Sequence, residues 1–206
     1  MLTTAAATLL ALSTVVPATG ADDLDEPAPP TRVEVVTVNG SGCPAGTANV
    51  STGTTSFEVD YRAFYAQAGG GADAVDSRRN CQLGVRVSLP PGYTYGLSRM
   101  TYDGFTHLEA GARALHRVDF HFQGSSSGKT LEFPYSGPMN DEWRSTYRPT
   151  PGEVVYSPCG DDRNLNINAE LRVDLGTSDR AKRSLILAES SRGTVRAKYD
   201  LVTKRC

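Results

Sequence analysis

Ser157–Leu175 reads SPCGDDRNLNINAELRVDL. After a cysteine-anchored turn, Leu165, Ile167, Ala169, Leu171 and Val173 alternate with Asn164, Asn166, Asn168, Glu170 and Arg172. A period of two belongs to a β-strand, so one face is apolar core and the other is polar. Asparagine is depleted in strands because its amide competes for backbone hydrogen bonds, so three in one row call for partners or for a ligand. Both readings stand. Bonding to neighbouring loops or strands is the favoured one, because shielded amides are rarely left unpaired; the other makes Asn164, Asn166 and Asn168 a ligand-binding row.

The same period runs through most of the chain. Arg32–Val38 is rich in Val and Thr, Phe57, Val59 and Tyr61 alternate, and Leu83, Val85, Val87 and Leu89 alternate up to Pro90-Pro91-Gly92. Further strands are expected at 93–102, 118–122, 129–135, 153–156, 184–188 and 194–202, and Ala63–Gly71 reads as a strand entering a glycine loop. The exception is NDEWRSTYRPT (Asn140–Thr150), where Trp143 and Tyr147 lie four apart and suggest one or two helical turns. Short strands at this spacing predict an all-β fold, an antiparallel β-sandwich with a jelly-roll or immunoglobulin-like layout, or a barrel.

The chain has 206 residues. Its first 20 carry an apolar run, Leu9–Val16, followed by the small-residue stretch Pro17-Ala18-Thr19-Gly20, the pattern of a signal peptide cut before Ala21. Residues 21–31 (ADDLDEPAPPT) are acidic and proline-rich and are expected to be a disordered lead-in. A single domain is then expected over 32–206. No later stretch reaches the roughly 18 to 20 apolar residues of a spanning helix, so no membrane span is expected in the mature protein.

Formal net charge is -2, with both signs interspersed. A nucleic-acid partner would call for a basic stripe, and none is expected here. Ser77-Arg78-Arg79-Asn80 is the compact basic step, and it reads as a solvated turn. Cys43, Cys81, Cys159 and Cys206 all follow the leader, so disulfides are expected in an exported chain. Three pairings are formally possible. Chain order suggests Cys43 with Cys81 and Cys159 with Cys206. A zinc site would call for C-x-x-C spacing, which the chain lacks, and no cofactor is expected.

Candidate chemistry is thin. Gly124-Ser125-Ser126-Ser127-Gly128 fits the G-x-S-x-G string, but a nucleophile elbow needs a following helix and a later histidine, and no histidine follows His121. It reads as a hairpin loop. Asp119 and His121 share a strand face and are the weak candidates for a catalytic pair. Asp161 and Asp162 put hard oxygens in a turn, the weak candidates for calcium, without EF-hand spacing. Asp60, Asp103, Glu132 and Glu170 are formal glycosidase carboxylates. Trp143 and the nine tyrosines could offer flat faces to a saccharide, as could the asparagine row.

The strings VTVNGSGCPAGT (Val36–Thr47), DSRRNCQL (Asp76–Leu83), TYDGFTHLEAG (Thr101–Gly111), SPCGDDRNLNINAELRV (Ser157–Val173) and the terminal KRC resemble a family of small secreted bacterial and fungal proteins known as domain of unknown function 4360. The resemblance implies export and a disulfide-linked β fold of this size, and implies no activity. The expected function is a non-catalytic extracellular or cell-surface module binding a polysaccharide, a cell-wall component or an extracellular protein. The alternative is a secreted hydrolase or lyase using carboxylates and His121 on a sheet face.

Overall fold

A computed structural model of the chain describes residues 31–160, 162–188 and 197–206. The expected leader, all but the last residue of the expected lead-in, Asp161 and the start of the last expected strand lie outside the described residues. The strands in chain order are β1 (Arg32–Asn39), β2 (Ala48–Thr52), β3 (Ser56–Tyr61), β4 (Tyr65–Ala68), β5 (Arg78–Ser88) and β6 (Tyr93–Leu108). They continue with β7 (Arg113–Phe122), β8 (Gly128–Ser136), β9 (Met139–Tyr147), β10 (Leu165–Asp174), β11 (Ser184–Leu187) and β12 (Ala197–Arg205).

These make a two-sheet antiparallel sandwich. One sheet has five strands in the order β1-β5-β10-β7-β8. The other has seven and is organised around β6, which carries β12 along its first part and β11 along its last part, with β9 on the opposite edge.

The asparagine strand sits at the middle of the five-stranded sheet. Its apolar residues are in register with those of both neighbours: Leu165 faces Val85 and Phe122, Ile167 faces Leu83 and Phe120, and Ala169 faces Cys81 and Val118. All nine side chains are buried. The other sheet answers with Phe57, Tyr95, Leu97, Met100, Tyr102 and Tyr199, and Phe57 stacks on Tyr199 at 4.4 Å between ring centroids. Each such aliphatic or aromatic side chain contributes roughly 1.5 to 3 kcal/mol by leaving water, so alternation in sequence becomes the energy that closes the sandwich.

Cys43 pairs with Cys81 and Cys159 with Cys206, across sequence separations of 38 and 47. Loop closure of that size contributes about 4 kcal/mol per bridge. The first bridge fastens the loop after β1 to the inner face of β5, and both its cysteines are buried. The second ties the turn before β10 to the end of β12.

Three local expectations are corrected. Asn140–Thr150 is not helical: residues 139–147 form β9, with Trp143, Ser145 and Tyr147 inward and Arg144 and Thr146 outward. A spacing of four is two strand periods as well as one helical turn, and pairing with β6 decides between them. Residues 153–156 are not a strand either; Pro151–Glu153 is a 3₁₀ turn closed by a Thr150–Glu153 capping box, and Tyr156 makes one isolated bridge to Gly96. Ser77–Asn80 is not a turn but the end of a 3₁₀ segment (Ala74–Ser77) followed by the start of β5.

Candidate functional site

The outer face of the five-stranded sheet collects the polar alternates. Strand register sets them in rows across the sheet. Asn39, Gln82, Asn168, Asp119 and Thr130 form one row, and Thr37, Gly84, Asn166, His121 and Gly128 form the next. At about 4.8 Å between strands, a five-strand row spans about 19 Å. The first row therefore offers two side-chain amides on one side of the central strand, a third on that strand, and a carboxylate and a hydroxyl on the other side, to whatever lies across it.

The amides of these two rows are little used internally. Asn166 Nδ2 lies 3.5 Å from His121 Nε2, and Asn168 Oδ1 is shielded without a hydrogen-bond partner among the described residues. Asn164, before the strand, contributes its backbone carbonyl to Gln123 N–H at 2.8 Å. Among the described residues, the side-chain bonding that the favoured reading of Asn164, Asn166 and Asn168 calls for is therefore the long Asn166–His121 contact.

Glu170 departs from the row. Sequence period places it with the exposed polar residues, yet it is 3 % exposed. Arg78 Nε and Nη2 donate to Glu170 Oε2 at 2.7 and 2.5 Å, and Arg172 Nη2 donates to Oε1 at 2.7 Å. Two guanidinium groups from β5 and β10 fold over one carboxylate, which hides it and spends it on structure. This also explains Arg78, one of the two arginines in the basic step; the other, Arg79, pairs with Asp76.

Asp119 and His121 are neighbours but solvated. Their closest approach is 3.7 Å from His121 Nδ1 to Asp119 Oδ1, at side-chain exposures of 47 % and 37 %, and Asp119 Oδ2 accepts from Thr130 Oγ1 at 3.1 Å. The formal carboxylates divide between two surfaces: Glu132 and Glu170 belong to the five-stranded sheet, Asp60 and Asp103 to the other. A pair drawn from one carboxylate of each sheet is therefore out of reach.

Trp143 is corrected as a ligand platform, because it is 4 % exposed and packs between the sheets. Its ring lies 5.2 Å from His116 and 5.6 Å from Tyr135 between centroids. Gly104 makes room for it: the two are cross-strand partners, and a Cβ on Gly104 would overlap the indole and the Leu187 carbonyl. Most tyrosines are likewise core, including Tyr61, Tyr95, Tyr102, Tyr147 and Tyr199. Gly124–Gly128 is the turn joining β7 to β8, with Ser125 N–H donating to the Phe122 carbonyl at 3.0 Å.

Asp162 lines an end cleft of about 430 Å³ with Pro90, Pro91, Tyr93, Tyr95 and Ser157. Its calcium partner in the sequence reading, Asp161, is outside the described residues. Among the described residues no group of three or more His, Cys, Asp or Glu side chains could hold a metal ion, and no helix is long and apolar enough to cross a membrane.

A second surface escaped the sequence reading. On the outer face of the seven-stranded sheet, Arg99, Arg144, Arg148 and Lys198 surround a basin of about 360 Å³ whose lining includes Glu58 and Asp103. These residues come from β3, β6, β9, β12 and the residue after β9, so no contiguous basic string announces them.

An uncharacterized secreted protein of Arthroderma benhamiae (strain ATCC MYA-4681 / CBS 112371) is 28 % identical over 165 residues, covering 78 % of this chain and 66 % of that protein. The matched stretch thus spans just under two thirds of that relative's length. With two disulfides in place, the protein is a secreted one. Among solved structures, TmCBM61 in complex with β-1,4-galactotriose aligns at TM-score 0.27 and 14 % identity, over 86 % of this chain and 89 % of that one. The enzymatically active domain of bacteriophage CBA120 tailspike protein 4 aligns at TM-score 0.27 and 12 % identity, over 85 % of this chain and 19 % of that one. At that score neither neighbour bears on the ligand. The family model described as Domain of unknown function (DUF4360) matches residues 29–206, and the chain belongs to that family.

Proposed function

We propose that the protein is a non-catalytic extracellular binding module, holding a saccharide or cell-wall polymer across the outer face of the five-stranded sheet. The observation that carries this reading is the in-register row Asn39–Gln82–Asn168–Asp119–Thr130, whose asparagine and glutamine amides are not consumed by internal hydrogen bonds in the way Glu170 is. A side-chain amide both donates and accepts, which matches a sugar hydroxyl that does the same. Among the described residues Asn168 Oδ1 is the amide atom of this row shielded without a partner, at a cost of about 1 to 3 kcal/mol, while the exposed amides beside it can exchange water for ligand hydroxyls.

The test is retention of the purified secreted protein on a panel of neutral polysaccharides and wall preparations, scored together with soluble product released. Retention that is lost in Asn166→Ala/Asn168→Ala, with an unchanged unfolding midpoint and no product, is expected. Soluble product that disappears in His121→Ala or Asp119→Asn would overturn the non-catalytic reading and make the solvated Asp119–His121 pair the working groups.

A further inference from the structure

The basin on the opposite sheet has a chemistry of its own. Its cations and anions sit at different depths. Arg144 is 68 % exposed beside Asp103 at 29 %, Lys198 is 44 % exposed beside Glu58 at 25 %, and Arg99 is 39 % exposed beside Asp200 at 28 %. The carboxylates form the floor and the cationic heads form the rim. A molecule approaching from solvent therefore meets positive charge first, on a chain whose formal net charge is -2.

Two of the rim cations, Lys198 and Arg99, are loosely held. Arg144 Nε is close to Asp103 Oδ1 at 2.5 Å, but Lys198 Nζ stands 3.6 Å from Glu58 and 3.8 Å from Asp200, and Arg99 Nη1 stands 3.9 Å from Asp200. Contacts beyond about 3.2 Å are not good hydrogen bonds. Exposed pairs of this kind add little net stability, so exchanging them for a ligand costs little. Arginine adds geometry to charge, since its planar fork matches the two oxygens of a carboxylate, sulfate or phosphate.

The strands space these heads in two dimensions. Arg144 and Arg148 lie four apart along β9 and its continuation, roughly 13 Å at the strand rise, and Arg99 and Lys198 lie on β6 and β12 beside them. Thr101 and Thr146 face each other in register and line the basin with hydroxyls. Repeated cationic heads around hydroxyls, at strand spacings, fit a linear polymer carrying an anion on successive units better than one compact anion.

We infer that this basin is a binding site for an anionic polysaccharide, with Arg99, Arg144, Arg148 and Lys198 as the anion-recognising residues and Thr101 and Thr146 contacting sugar hydroxyls. The site is separate from the asparagine face, and the sandwich then presents two outer faces of different selectivity, one for neutral hydroxyl-rich chain and one for charged chain.

Binding of the full secreted protein is measured on polygalacturonate, dextran sulfate and neutral β-1,4-galactan, at low salt and at about 0.5 M NaCl, where charges more than a few ångströms apart are screened. One or both anionic polymers are expected to be retained at low salt and released at high salt, the carboxylate and sulfate arms identifying which anion the rim prefers. Exposed ion pairs are individually weak, so Arg144→Gln and Arg99→Gln should each weaken the anionic polymer by up to about fivefold, and the two together by more. Lys198→Gln should act in the same direction. These are surface substitutions, and an unchanged unfolding midpoint verifies the fold of each variant.

Asn166→Ala/Asn168→Ala, on the other sheet, should leave anionic binding untouched. Anionic retention that survives high salt or all three charge variants would overturn this inference, as would failure of both anionic polymers to bind. Galactan binding that is lost only in the asparagine variant would uphold the neutral-chain face while saying nothing for the basin, so failures of the two readings are told apart.

Discussion

Acid should unfold this protein partly through one side chain. His116 lies on the inner face of β7 with no solvent exposure, its ring 4.5 Å from Tyr102, 5.2 Å from Trp143 and 5.6 Å from Phe133 between centroids. Nδ1 is 2.9 Å from Ser145 Oγ, which is itself 2.9 Å from the Tyr135 hydroxyl, and Nε2 has no partner among the described residues. No carboxylate faces it in these contacts. Burial therefore penalises the imidazolium and pushes the pKa from 6.5 down to about 3. Because the folded value lies below the unfolded one, the folded protein binds fewer protons, and this contribution is fully present above about pH 6.5 and is lost as pH falls toward 3.

Between about pH 8 and pH 4.5, linkage gives a loss of roughly 3 kcal/mol from this site. Urea unfolding followed by fluorescence of Trp143, the single tryptophan, reads it out at the two pH values. His116→Phe is the matched variant: it keeps a ring of similar size, and Ser145 and Tyr135 retain each other. Every other ionisable group is common to the two proteins, so those contributions cancel. The variant should lose roughly 3 kcal/mol less than the parent on acidification. Equal losses in the two proteins would refute the assignment, as would an NMR titration in which His116 protonates near pH 6 while the protein stays folded.

Two structural substitutions follow from the packing. Gly104→Ala should destabilise by about 2 to 3 kcal/mol, because the new methyl is caught between the Trp143 indole and the Leu187 carbonyl; a thermal midpoint within a degree or so of the parent would show that β6 and β11 part more easily than the register implies. Glu170→Ala should cost about 1 to 3 kcal/mol in chemical denaturation at neutral pH, since Arg78 and Arg172 are 62 % and 46 % exposed and regain water when the carboxylate goes; a cost near zero would mean that the ion cluster only covers the sheet.

What could be read from the residues alone is what local chemistry determines. Alternation of apolar and polar side chains has one stable outcome in a long chain of short segments, so the strand at Leu165–Asp174, its inward face and the all-β class follow from period two. Cysteine number and order suggested bridges that the fold realises, because cross-links between segments of one sandwich need only proximity. Tertiary structure decided everything that depends on which strands become neighbours. Pairing with β6 turned the Trp143–Tyr147 spacing from a helical turn into a strand and took Trp143 out of solvent. Glu170 was drawn under two arginines because Arg78 arrives from a strand some ninety residues away in sequence, which no local pattern records. The basin of Arg99, Arg144, Arg148 and Lys198 has the same origin: each cation looks like an ordinary exposed alternate on its own strand, and only strand order brings them around one hollow.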